Sequence, residues 1–87
     1  MEQIEEAEEK LVKLEAEIAA LKDVPRAVRN LFEEVKSNLK RAKAAYEEKK
    51  YGEAFGLARS AEVLARNAVR MLEEETEDEE DLKETIH

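Results

Sequence analysis

The sequence predicts an all-α fold: an antiparallel three-helix bundle, built as a helical hairpin plus an N-terminal coiled-coil-like helix, with a flexible acidic C-terminal tail. Three observations predict it. Apolar residues recur three and four positions apart over most of the chain, the period of a helix with one buried face. Two breaks, at Asp23-Val24-Pro25 and at Lys49-Lys50-Tyr51-Gly52, divide that pattern into three stretches of bundle-helix length. The stretch from Glu73 to Asp81 is acidic at eight of nine positions, a density that disfavours packing.

The first helix is expected over residues 3–22. Ile4, Ala7, Leu11, Leu14, Ile18 and Leu21 alternate spacings of three and four, the seam of a coiled coil or bundle helix. Glu6–Lys10 and Glu9–Lys13 place the acid four residues before the base, the favourable order on a helix.

Pro25 then intervenes. Proline lacks an N–H and pushes the residue before it out of helical angles. It suits the start of a new helix, with Asp23 as the N-cap. The heptad phase nevertheless runs on through Val28, Phe32, Val35, Leu39, Ala42 and Tyr46. Two readings stay open: a tight helix-turn-helix, or one long helix kinked at Pro25. An interior proline costs about 3 kcal/mol, which favours the break.

The second helix is expected over residues 25–49 and the third over 52–74. Between them Gly52 supplies free backbone angles for the turn, and Lys49 and Lys50 suit the negative end of the second helix. On the third helix Ala54, Ala58, Ala61, Ala65 and Ala68 make one stripe ending at Leu72, and Leu57, Leu64 and Met71 make a second beside it. A face that wide can touch two neighbouring helices, and its small side chains allow a close approach. Residues 1–74 form the bundle in this reading, and residues 75–87 the disordered tail.

Composition narrows the function. A chain of 87 residues makes one domain with a thin core, and 44% of it is charged, against roughly 25% in an average soluble domain. Cysteine is absent, which removes disulfides, thiolate catalysis and cysteine zinc sites and fits a cytoplasmic location. The Glu/Lys/Arg-rich usage has the character of thermophile proteins. No apolar run resembles a signal peptide or a membrane span. Charge is unevenly placed: net −4 over residues 1–22, +4 over 23–72 and −8 over 73–87.

Tyr46, the turn with Tyr51, then Glu53-Ala54 and Ala58 and Ala61 give residues 39–72 a recognisable pattern. It resembles a tetratricopeptide-type hairpin, in which a tyrosine packs near a turn and alanines let the second helix sit close. Here Gly52 follows Tyr51 instead of preceding it, and no 34-residue repeat occurs elsewhere. The hairpin is also similar to those of microtubule-interacting-and-trafficking domains and of nucleotidyltransferase-associated helical domains. Ribonucleases of the latter family carry an arginine followed closely by a histidine. Arg66 and Arg70 have no such histidine after them, so that activity is not implied.

The candidate chemistry is sparse. The single histidine is His87, so a Glu-x-x-His di-iron site is excluded, and no EF-hand spacing is present. Ser37, Ser60, Thr76 and Thr85 have no base arranged to activate them, and no glycine-rich phosphate loop exists. No catalytic residue, metal site or cofactor is expected, and the chain is read as a non-enzyme.

What remains is surface. Arg26, Arg29, Lys36, Lys40 and Lys43 line one side of the second helix, and Arg59, Arg66 and Arg70 part of the third. Phe55 and Val69 lie off the main stripes and are the apolar candidates for a partner contact. Tyr46, Tyr51, Gly52 and Ala54 are expected to lock the hairpin, with Phe55 beside them. The function expected is a non-catalytic protein–protein interaction or assembly module, its partner another protein or a second copy. Two alternatives stand: a nucleic-acid binder or mimic gated by its acidic tail, and an acidic calcium-responsive bundle.

Overall fold

Helix α1 (Glu2–Ala19) begins where the seam begins, with Glu2 and Glu5 in its first turn against the positive helix end. The computed structural model describes the backbone of residues 1–85 and the side chains of residues 1–74. Helix α2 is Arg26–Glu47 and helix α3 is Tyr51–Thr85. They fold up, down and up as an antiparallel three-helix bundle. α2 and α3 pair as a hairpin through Asn38 and Ser60, and α1 lies against both.

Pro25 ends the ambiguity between break and kink. It sits outside the helices with φ −55° and ψ 141°, and α1 has already stopped at Ala19, short of the expected 22. Leu21, the last residue of the expected seam, is therefore off the helix and 41% exposed. Val24 in the connecting loop packs half-buried against the core instead. The helix that follows starts on the proline itself: Val28 and Arg29 both donate their N–H groups to the Pro25 carbonyl at 3.1 Å. Asp23 is not the N-cap, and no side chain caps α2.

The hairpin turn also differs from expectation. Gly52 is helical, inside α3, and no glycine among the described residues has a positive φ. The left-handed residue is Lys49, at φ 65°. Its N–H donates to the Tyr46 carbonyl at 3.0 Å, and the Lys50 N–H donates to the Ala45 carbonyl at 2.9 Å. This pair of bonds is a Schellman motif, which satisfies two carbonyls that the end of α2 would otherwise leave open.

Leu14, Val28 and Val35 are the largest fully buried side chains, one from α1 and two from α2. α3 answers them with alanine: Ala54, Ala58, Ala61, Ala65 and Ala68 have no exposed surface at all. An alanine stripe of this kind, with Leu57, Leu64, Val69 and Leu72 beside it, lets neighbouring helices approach more closely than larger side chains would. The result is slender, 58 × 18 × 16 Å. The long dimension reflects α3, whose 35 residues would span about 52 Å at 1.5 Å per residue. α3 thus continues past the residue-74 boundary read from sequence. The flexibility expected of the 75–87 tail falls on residues whose side chains lie outside those described.

Candidate interaction surface

The surface is organised by one buried charge. Glu62 is 6% exposed, on the flank of the alanine face that meets α1. Gln3 Nε2 on α1 donates to one carboxylate oxygen at 2.5 Å, and Arg66 Nη2, one turn along α3, donates to the other at 2.8 Å. Both acceptor oxygens are used, and no buried side-chain polar atom among the described residues is left unbonded. A second tie joins α1 to α2, where Lys43 meets Glu8 at 2.6 Å with both side chains substantially exposed.

At the hairpin end the rings gather. Tyr46 and Tyr51 meet edge to face across the turn, with centroids 5.4 Å apart and planes at 61°. Phe55 is one turn beyond Tyr51 on the same face. It is 49% exposed, Tyr51 52% and Tyr46 41%. Ala45 and Ala54 are buried beneath them. Gly52 and Gly56 stand beside the rings, and a Cβ added to either would meet nothing within 4 Å. Lys49 and Lys50 border the patch, Lys50 paired to Glu48 at 3.3 Å.

The remaining predicted residues are dispersed around this centre. Arg26, Arg29 and Lys40 are exposed along α2 and make no ion pair among the described residues. Lys36 is held locally, 3.2 Å from Glu33 and 4.8 Å above the Phe32 ring. Lys43 is engaged with Glu8, so the basic row is partly consumed in holding α1. Val69 lies half-buried against the core, which leaves Phe55 as the exposed member of the apolar pair. Sequence reasoning assigned no role to Gln3. The available signal was its register: it lies one residue before Ile4 on the seam, opposite an acid that interrupts an apolar face.

An open depression is lined by Glu5, Glu8, Glu9 and Val12. All four belong to α1, so among the described residues it has a single wall, and Glu8 is already turned to Lys43. Among the described residues no three carboxylate or imidazole side chains converge as a metal site would require, and no helix is long and apolar enough to cross a membrane.

No protein-family model matches the chain, and neither a curated protein nor a solved structure matches it.

Proposed function

We propose that the chain is a non-catalytic interaction module that presents the hairpin end of α2 and α3 to another protein. The observation that carries this reading is the contiguous patch of Tyr46, Tyr51 and Phe55, each ring about half exposed. Aromatic side chains contribute large contact area at low entropic cost and dominate binding energies at interfaces. Gly52 and Gly56 strengthen it. Two glycines in exposed helix positions, with helical angles and open space above, cost stability and serve no packing within the chain. They make a flat ledge on which a partner helix can lie close. The charged surroundings suit a polar rim: Lys49, Lys50 and Arg59 alternate with Glu47, Glu48 and Glu53.

The test is site-specific photo-crosslinking from position 55 in the source cell, followed by reconstitution with the purified protein captured. Binding to that protein should fall at least about tenfold in Tyr51→Ser/Phe55→Ser, as for loss of a hot spot. A captured protein that binds the double variant as well as the wild type would refute the assignment.

A second reading draws on Arg26, Arg29 and Lys40, exposed and unpaired on one side of α2 among the described residues. Such a row suits phosphate contacts. A nucleic-acid role requires low-salt binding that weakens steeply as salt rises and is lost in an Arg26→Glu/Arg29→Glu variant.

A further inference from the structure

The outward stripe of α3 carries a charge pattern that contacts among the described residues account for only at Arg66. Positions 59, 63, 66, 70, 73, 77, 80 and 84 alternate spacings of four and three and so share one face of the helix. The first half of that stripe reads Arg59, Val63, Arg66, Arg70, and the second half is glutamate at every position. All four residues of the first half are exposed. Arg66 reaches back to Glu62, while Arg59 and Arg70 form no ion pair among the described residues. Leu72 is the last of the described residues of α3 in the core cluster, and the helix backbone continues to Thr85, about 13 residues or about 20 Å further.

We propose that this face of α3 pairs two copies of the chain antiparallel, the acidic end of each lying along the arginine row of the other. The proposal rests on the interaction-module reading and names a partner for a second surface, distinct from the aromatic patch. A two-fold axis midway between positions 71 and 72 sets 70 opposite 73, 66 opposite 77 and 59 opposite 84. These three pairs each join an arginine to a glutamate, the fourth sets Val63 opposite Glu80, and symmetry makes each pair twice. The parallel alternative sets like charge against like along the whole stripe. The chain carries a net charge of −8, so two copies repel at long range unless basic surface meets acidic surface. The antiparallel register provides that match.

Sedimentation equilibrium on the whole chain tests this. The expected result is a dimer at low salt whose dissociation constant rises by about tenfold or more between 0.1 and 1 M salt, as the screening length falls from about 10 to about 3 Å. Arg59→Glu/Arg70→Glu and Glu73→Arg/Glu84→Arg should each be monomeric, with helical content retained because the described members of the pairs are exposed. Mixing the two variants should restore a dimer, since each of the three charged pairs is then again of opposite sign. A wild-type chain that stays monomeric at low salt overturns the proposal, and the Phe55 crosslinking result stands apart from that outcome. A dimer that survives both charge variants also overturns it. If that dimer is then lost in Phe55→Ser, the aromatic patch is the self-contact and the interaction-module reading is kept.

Discussion

Gln3 and Glu62 lie 59 positions apart in sequence, and their side chains meet at 2.5 Å. The bond ties the first turn of α1 to the middle of α3 at a point where the carboxylate is nearly out of water. A buried carboxylate left short of a partner costs more than an ordinary hydrogen bond contributes. Arg66 satisfies one oxygen from its own helix, so what Gln3 adds is the link between helices.

Gln3→Ala should therefore destabilise the bundle by about 1.5–3 kcal/mol, the range for a hydrogen bond to a charged group. For a domain of this size, each kcal/mol is about 4–8 °C in melting temperature. The double variant Gln3→Met/Glu62→Met should cost less than the sum of the two single substitutions. Two apolar side chains then replace a polar pair, and Arg66, half exposed, turns to solvent. Urea melts of the four proteins make the cycle, and strict additivity would mean that the pair is not coupled.

Lys49 supports a prediction of opposite sign. It holds the left-handed position of the turn, where a side chain is strained and glycine is not. Its own N–H and that of Lys50 make the two bonds that close α2, so the conformation is fixed by the motif and not by the side chain. Lys49→Gly should raise stability by about 0.5–1 kcal/mol, and Lys49→Val should lower it by more than that. Thermal melts at equal concentration decide it. A loss of stability in Lys49→Gly would show that the lysine side chain contributes more than its strain costs.

These cases show which features sequence carries. The alanine stripe, the α1 seam to Ile18 and the break at Pro25 were legible because each depends on residue type at a fixed spacing. The turn was misread because Gly52 looks like the residue for a left-handed angle, whereas chain geometry assigns that angle by its distance from the last helical carbonyl. That count falls on Lys49. Leu21 gave way to Val24 for a similar reason: Pro25 stops α1 early, and the loop then supplies the apolar group nearest the core. The burial of Glu62 was not visible, because in sequence it reads as an acid among the basic residues of α3, four positions before Arg66. Its partner was not visible, because Gln3 is brought there by the path of the whole chain.

The two glycines of α3 give a stability prediction that also bears on function. Neither has a positive φ, and neither has a neighbour that an added methyl would strike. Gly52→Ala and Gly56→Ala should each stabilise the isolated chain by about 0.5–1 kcal/mol, the usual difference between glycine and alanine within a helix. If the ledge receives a helix at close range, the double variant should bind its protein partner more weakly while melting at a higher temperature. A variant that gains stability and keeps full affinity would remove the glycines from the proposed surface.

Ala61 tests the premise on which the whole architecture depends, that α3 is in the middle because its side chains are small. It has no exposed surface, and it lies in the core cluster with Ala58 and Ala65 on the same stripe. Leucine at this position adds about three methylene equivalents where the helices are already close. Overpacking of this kind typically costs about 1–3 kcal/mol, through displaced helices and strained rotamers. Ala27, exposed at the start of α2, is the control: leucine there should change stability by less than about 0.5 kcal/mol. Circular dichroism should show the helices retained in Ala61→Leu and the unfolding midpoint lowered. An unchanged midpoint would mean that the helices are not in close contact along this stripe, and the alanines would then need another explanation.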